Sequence, residues 1–171
     1  MEKHPKAELN LHVSRIYRDA RRLFGRGPYK DHLWFSFRSA AENWAQTPVM
    51  WFEINPEGYA FGLGVYAAPA AMMARFRKAL DARPRSFVAL ANSLRAQSRF
   101  ALRGEEYAKK KGNPAPPLDE WYNRKTIDIV CQRKPDRTLN SPAIRDELIE
   151  AYDYLFDFYK FFDKIEHSTN E

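Results

Sequence analysis

Several short segments of the chain alternate hydrophobic and polar residues with a period of two, which predicts β-strands. The clearest alternation lies on either side of Asn55-Pro-Glu-Gly58, where Asn55, Pro56 and Gly58 each suit their position in a tight turn. This region is therefore predicted to form a β-hairpin. The predicted strands and the hairpin cover residues 10–18, 32–38, 48–67 (the hairpin), 99–103 and 126–131.

Other segments show apolar residues at helical spacing. One begins after Pro69, a second after Pro84 and a long third at Ser141-Pro142, and proline is favoured in the first turn of a helix. The apolar positions of the last segment recur at intervals of three and four residues, at Ile144, Leu148, Tyr152, Leu155, Tyr159 and Phe162. This last segment is predicted to be a long amphipathic helix, with most of its aromatic residues in the core.

Together these elements predict an α+β fold. An antiparallel or mixed sheet of about five to six strands packs against helices, and the long amphipathic helix ends the chain. No internal repeat and no Gly/Ser-rich linker divides the sequence, so residues 1–171 are expected to form one domain.

Composition narrows the class of protein. The chain has 171 residues, 44% of them hydrophobic and 29% charged, which excludes a low-complexity or disordered polymer. No apolar run approaches the roughly 18 residues that a membrane helix needs, and the N-terminus lacks the apolar segment of a secretion signal. A single cysteine, Cys131, cannot form an internal disulfide. We therefore expect a cytoplasmic protein in a reducing compartment, without membrane attachment.

The net charge of +6 is unevenly distributed. Residues 1–38 contain nine Lys/Arg and four Asp/Glu, whereas residues 140–171 contain three and eight. Such a basic cluster attracts anions, and guanidinium groups bind phosphate or carboxylate with two parallel hydrogen bonds. The leading hypothesis is a site for a small anionic ligand, with His32 as an additional donor. Its predicted residues are Arg15, Arg18, Arg21, Arg22, Lys30 and His32.

Three alternatives remain at this point. An enzyme, a hydrolase or transferase, would use His32 as acid or base beside an arginine clamp, with a carboxylate such as Asp19 or Glu53 in reach. A protein-interaction module would dock through the aromatic C-terminal helix. Nucleic acid is the least favoured partner, because no recognition motif is present and the C-terminal part of the chain is acidic.

No metal or cofactor is expected. The four histidines have neither the i, i+4 spacing of a helical zinc pair nor a nearby pair of cysteines. Gly62-Leu-Gly64 resembles the start of a dinucleotide fingerprint, but the strand pattern continues through Val65 where a helix would have to begin. We expect these glycines to admit a bulge or a closely packed side chain. Cys131 is interpreted as an inert, buried thiol.

Several motifs distributed over nearly the whole chain resemble a known family. They are Ser14-Arg-Ile-Tyr-Arg-Asp-Ala-Arg-Arg, Gly27-Pro-Tyr-Lys-Asp-His-Leu-Trp-Phe, Trp51-Phe-Glu, Gly58-Tyr-Ala-Phe-Gly-Leu-Gly, Met73-Ala-Arg-Phe-Arg, Gly104-Glu-Glu-Tyr and Trp121-Tyr-Asn-Arg-Lys. The sequence is similar to the family known as domain of unknown function 2461, found in bacteria and fungi. The resemblance implies no activity, substrate or cofactor. It does imply that the chain is N-terminally shortened, because family members usually begin with a helical segment, and we therefore expect exposed aromatic side chains.

Overall fold

In the computed structural model, six strands form one antiparallel sheet; the structure describes residues 9–19, 21, 23–40 and 42–168. The strand order across the sheet is β1-β2-β3-β4-β6-β5. The strands are β1 (Leu9–Val13), β2 (Leu33–Ser39), β3 (Val49–Asn55), β4 (Gly58–Gly64), β5 (Ala101–Arg103) and β6 (Asp128–Arg133).

Four helices in the described part pack on one side of this sheet. They are α1 (Ala70–Asp81), α2 (Arg85–Arg95), α3 (Asp119–Tyr122) and α4 (Ala143–His167). Pro69, Pro84 and Pro142 are the residues immediately before α1, α2 and α4. The α+β class, the antiparallel sheet and the long C-terminal helix are thus confirmed. None of the described helices, α4 included, combines the length and the apolar character that crossing a bilayer requires.

The predicted hairpin is confirmed as β3 and β4. The side-chain oxygen of Asn55 accepts hydrogen bonds from the backbone N–H groups of Glu57 (2.9 Å) and Gly58 (3.1 Å). These bonds satisfy the turn's own donors, which explains why Asn favours the first position of such a turn.

Aromatic side chains form the centre of the core between the helices and the sheet. Phe87 of α2 contacts Trp121 of α3, with ring centroids 5.0 Å apart, and Trp121 stacks on Phe158 of α4 at 5.9 Å. Phe61 on β4 is fully buried beneath the same helices. The predicted aromatic excess of the last helix therefore lies mostly in the core, because α4 contacts both the sheet and the other helices.

The first strand is shorter than predicted and less buried. At Ser14 the hydroxyl accepts a hydrogen bond from the Trp34 backbone N–H (3.0 Å), which replaces a ladder bond and ends β1 at Val13. The side chains of Leu11 and Val13 are 59% and 62% exposed, because β1 is the edge of the sheet and no described helix lies over it. The predicted strand is therefore confirmed over residues 10–13, whereas its extension to residue 18 and its half-buried character were predicted wrongly.

Exposed aromatic side chains occur in the described part, as expected. They are Tyr17, Phe24, Tyr29 and Tyr66. Whether they reflect a shortened chain stays a prediction.

The sheet has two chemically different faces. Because successive strand residues point to opposite sides, Phe35, Phe52 and Phe61 face the helices, and we call this the covered face. The opposite side, which none of the four described α-helices packs against, is the open face; the short 3-10 helix Trp44–Gln46 contacts it through Trp44 and Arg38. Its side chains come from Asn10, His12, Trp34, Ser36, Arg38, Val49, Trp51, Glu53, Ala60, Gly62, Gly64, Asp128, Val130, Gln132, Ala101 and Arg103.

Candidate functional site

Residues 14–32 connect β1 to β2 and contain all six predicted ligand residues. The described ones, 14–19, 21 and 23–32, form an irregular hairpin that we call the hairpin segment. Tyr17 and Tyr29 form an isolated antiparallel bridge, and their rings lie 5.4 Å apart. The backbone N–H of Arg18 donates to Pro28 O (2.7 Å), and the N–H of Lys30 donates to Ile16 O (2.9 Å). The segment is therefore held by backbone hydrogen bonds between its two arms.

Two predicted residues, Arg18 and His32, share one carboxylate. Arg18 Nη2 lies 3.2 Å from Asp31 Oδ2, and His32 Nδ1 lies 2.9 Å from Asp31 Oδ1. Arg18 Nε also donates to Tyr29 O at 2.7 Å. The hydrogen bond from His32, followed by that from Arg18, lowers the pKa of Asp31 to about 2. Arg18 is only 15% exposed, so its guanidinium fastens the hairpin segment internally.

Arg21 adds little to a shared site. Arg21 forms a double hydrogen bond with its neighbour Asp19, with Nε and Nη2 donating at 3.1 and 2.9 Å. The Arg21 side chain is otherwise 88% exposed. Arg22 lies outside the described residues.

The other two predicted residues, Arg15 and Lys30, lie near His12 together with Arg38 of β2. Burial lowers the pKa of His12, and the positive charges of Arg38, Arg15 and Lys30 lower it further. We call these four residues, His12, Arg15, Lys30 and Arg38, the cationic patch. No described carboxylate lies within ion-pairing distance of its three permanently charged members.

Two tryptophans position the cationic patch on the open face. The Arg38 guanidinium lies 3.9 Å from the centre of the Trp44 ring, and the His12 ring lies 5.2 Å from that of Trp34. His12 and Arg38 were missed at the level of sequence because neither belongs to the densest basic run. The available signal was the alternation of β1 and β2, which places His12 and Arg38 on the same side once the strands are paired.

Ser36 lies between the cationic patch and the middle of the open face. It pairs with His12 on one side and with Trp51 on the other. The residue is 2% exposed, and within the described part its Oγ makes no hydrogen bond. A buried hydroxyl without a partner is uncommon in proteins and calls for an explanation.

A tryptophan and a carboxyl group meet in the middle of the open face. Trp51 Nε1 of β3 donates a hydrogen bond to Asp128 Oδ1 of β6 at 3.2 Å. Burial raises the pKa of Asp128 to about 6, and this effect outweighs the opposing ones of the Trp51 hydrogen bond and the Arg103 charge. Asp128 was read at the level of sequence only as a strand residue, and Trp51, 77 positions away, gave no local signal of the pair.

Comparison with models of known protein families shows which family the chain belongs to. The model of the family described as Conserved hypothetical protein (DUF2461) matches residues 1–161. The chain belongs to the DUF2461 family. No curated protein and no solved structure matches the chain. The matched residues of this DUF2461 chain include the cationic patch, Trp51 and Asp128, but the family description names no activity. A function therefore has to be argued from the geometry of the chain itself.

A cleft of about 680 Å³ lies between β6 and the first turns of α4 in the DUF2461 chain. Glu147 crosses it, with Oε1 lying 2.6 Å from Arg133 Nη2 and 3.3 Å from Arg99 Nη2. These ion pairs attach α4 to the sheet. They also neutralise the two arginines that line the cleft, so the cleft has no excess of positive charge to attract an anion. Cys131 also lines the cleft; it is a free thiol and is buried, as predicted.

A second, apolar cleft of about 360 Å³ lies between α4 and strands β2 and β3. Phe37, Met50 and Leu148 line it. The prediction of a protein partner on the C-terminal helix stays a prediction. Among the described residues, no group of three or more His, Cys, Asp or Glu side chains is arranged to hold a metal ion.

Proposed function

We propose that this DUF2461 protein binds a small anionic ligand, a phosphate or carboxylate compound, at the cationic patch on the open face. The observation that supports this most is that the charges of Arg15, Lys30 and Arg38 all act on His12, and that none of the three has a carboxylate partner in the described part of the chain. By contrast, Arg18 and Arg21 have such partners in Asp31 and Asp19. The proposal thus keeps two of the residues predicted from the sequence and adds two others.

The chemistry of the patch suits an anion. Cations without ion-pair partners raise the local concentration of anions, and a guanidinium fork binds phosphate or carboxylate oxygens in pairs. His12 has a lowered pKa, so near neutral pH its imidazole is uncharged and donates one ring N–H. The aromatic rings of Trp44 and Trp34 hold Arg38 and His12 in place. These two side chains therefore lose less conformational entropy when a ligand binds.

The alternatives have less support. His32 contacts Asp31, rather than Asp19 or Glu53, and Arg18 occupies the other oxygen of the same carboxylate. An acid–base function of His32 beside an arginine clamp would first have to break these contacts. Glu53 and Asp128 lie on the open face as well, which disfavours a nucleic-acid backbone there.

The test is isothermal titration calorimetry of the full chain with sodium pyrophosphate at low ionic strength. We expect Arg38→Gln and Arg15→Gln each to weaken binding about tenfold, because each loses one charge-assisted hydrogen-bonding group. The matched control is Arg21→Gln, which removes the same charge from a residue outside the patch, and should change binding less than twofold.

Two results would count against the proposal. One is the absence of pyrophosphate binding to the unaltered chain. The other is an equal loss in Arg21→Gln and Arg38→Gln, which would indicate attraction by net charge alone. Circular dichroism of each variant separates a binding defect from a folding defect, and Arg38→Lys should restore part of the affinity.

A further inference from the structure

The Trp51 indole lies across a strip of β4 that lacks side chains. Trp51 pairs with Gly62 on β4, and Asp128 on β6 pairs with Gly64. Because neighbouring strands are about 4.8 Å apart, β3 and β6 are separated by roughly 10 Å. The hydrogen bond of 3.2 Å from Trp51 Nε1 to Asp128 therefore requires the indole to extend over the two glycines.

Gly64 makes this arrangement sterically feasible, because it leaves space for the Asp128 carboxyl group. A Cβ at Gly64 would lie 2.6 Å from Asp128 Oδ1, closer than carbon and oxygen can approach. The expectation that these glycines admit a closely packed side chain is thus confirmed for Asp128. The indole remains partly exposed on the open face, and its flat surface is of the kind on which rings stack.

Asp128 keeps hydrogen-bonding capacity for a ligand. Its Oδ1 accepts from Trp51, whereas no described group donates to its Oδ2. Arg103 acts on it by charge only, and the Arg103 guanidinium donates to Gln132 at 2.9 Å. A carboxyl group placed beside an aromatic surface is suited to bind the hydroxyl or amino groups of a ring compound.

We propose that the ligand of the open face is a phosphate ester of a ring compound, with its ring stacked on Trp51, a ring hydroxyl or amino group bound to Asp128, and its phosphate on the cationic patch. This inference rests on the proposed function, since it takes the cationic patch as the phosphate site. It adds the chemical class of the remainder of the ligand. Sugar phosphates and nucleoside monophosphates share this chemistry.

The dimensions of the open face agree with this class of ligand. Arg38 on β2 and Asp128 on β6 are three strand spacings apart, or about 14 Å between Cα atoms. A separation of this order accommodates one ring and one phosphate between the two side chains. Ser36 lies between His12 and Trp51, and its buried Oγ makes no hydrogen bond within the described part of the chain.

The experiment compares the affinities of four probes for the full chain: inorganic phosphate, glycerol 3-phosphate, glucose 6-phosphate and AMP. We expect at least one of the two ring esters to bind tenfold or more tightly than inorganic phosphate and glycerol 3-phosphate. If only AMP gains affinity, the ring is a nucleobase. If glucose 6-phosphate gains affinity as well, the sugar suffices.

Variants of Trp51 and Asp128 test whether these two residues cause the tighter binding of the ring esters. Trp51→Leu and Asp128→Asn should each reduce the advantage of the ring ester to threefold or less while leaving the affinity for inorganic phosphate unchanged. Trp51→Phe keeps an aromatic surface and should restore part of the advantage. Glu53→Gln, on the same strand and the same face as Trp51, is the matched control and should have no effect.

The two proposals fail in different ways. Equal affinities for inorganic phosphate and both ring esters overturn this inference and leave the proposed function intact. Lack of binding of all four probes overturns both. A gain for a ring ester that survives in Trp51→Leu and Asp128→Asn also overturns the inference, because the ring would then lie elsewhere.

Discussion

The two faces of one sheet differ in what their side chains do. On the covered face, alternate residues of β3 and β4 bury Phe52, Phe61 and Leu63 against the helices. On the open face, the residues between them include Trp51, Glu53 and Gly62. The covered face is explained by packing alone, since burial of apolar area stabilises the fold. Val49 and Val130 are buried on the open face too, but packing does not explain its polar residues.

The open face contains groups that are unfavourable for stability. Ser36 Oγ is buried without a hydrogen bond in the described part, and burial raises the pKa of the Asp128 carboxyl. Both arrangements cost free energy in the absence of a ligand. Polar groups kept in unfavourable surroundings are common at functional sites. Arg99 Nε in the cleft beside α4 is also buried without a hydrogen bond in the described part, so the open face is preferred because the three permanently charged members of its cationic patch lack a described carboxylate partner.

The largest expected difference between the faces concerns stability. Phe61→Ala should lower the free energy of unfolding by about 3–5 kcal/mol, because the ring is fully buried on the covered face against Phe100 and its loss leaves a cavity. Trp34→Ala on the open face should cost less than about 2 kcal/mol, because Trp34 is partly exposed. Urea unfolding measures both values. Equal losses would mean that the open face belongs to the core.

Asp128 should give the open face a pH dependence that the covered face lacks. Its pKa of about 6 in the folded chain lies above its ordinary value of 3.8, so the folded state binds the proton more tightly than the unfolded chain. The resulting stabilisation is complete below pH 4 and is lost as the pH rises through 6. At about 1.4 kcal/mol for each pKa unit, the loss amounts to roughly 3 kcal/mol.

Asp128→Asn keeps an acceptor for Trp51 and should remove this part of the pH dependence. The measurement is the free energy of unfolding by urea between pH 4 and pH 8, for the unaltered chain and the variant. Glu57→Gln, in the exposed turn between β3 and β4, is the control and should leave the profile unchanged. Superimposable profiles for the unaltered chain and Asp128→Asn would disprove the assignment.

A smaller effect on stability is expected from substitution of a glycine on β4, where there is little space for a side chain. Gly62→Ala should destabilise the chain by about 1–3 kcal/mol, because the added Cβ would collide with the backbone carbonyl of Ile129. Ala60→Gly, two residues earlier on the same face, should cost no more than about 1 kcal/mol, from backbone entropy. Thermal unfolding of both variants tests this. A neutral Gly62→Ala would show that the glycine strip is not required.

Local sequence signals predicted most of the elements, because their causes are local. Asn55 and Gly58 encode the turn of the hairpin, and Pro69 and Pro84 mark the starts of two helices. The early end of β1 was not predictable in this way, since it depends on a bond between Ser14 and Trp34, 20 residues apart.

The candidate site was only partly predictable for the same reason. The cluster of basic residues near the N-terminus predicted a binding site for an anion, and Arg15 and Lys30 were among the residues predicted for it. It did not reveal that Arg18 is paired with Asp31, because that contact depends on the fold of the hairpin segment. The partners Trp51 and Asp128 come from strands that become close only through β4.

The four tryptophans provide the most direct test of the claim that the open face is the ligand-binding face. Trp34 and Trp44 contact members of the cationic patch, Trp51 lies farther along the same face, and Trp121 is fully buried in the core. Indole N–H signals of the ¹⁵N-labelled chain can be followed by NMR during titration with sodium pyrophosphate. We predict saturable shifts of the Trp34 and Trp44 signals with one common dissociation constant, while the Trp121 signal does not move. Pyrophosphate binding that leaves the Trp34 and Trp44 signals in place would contradict the account.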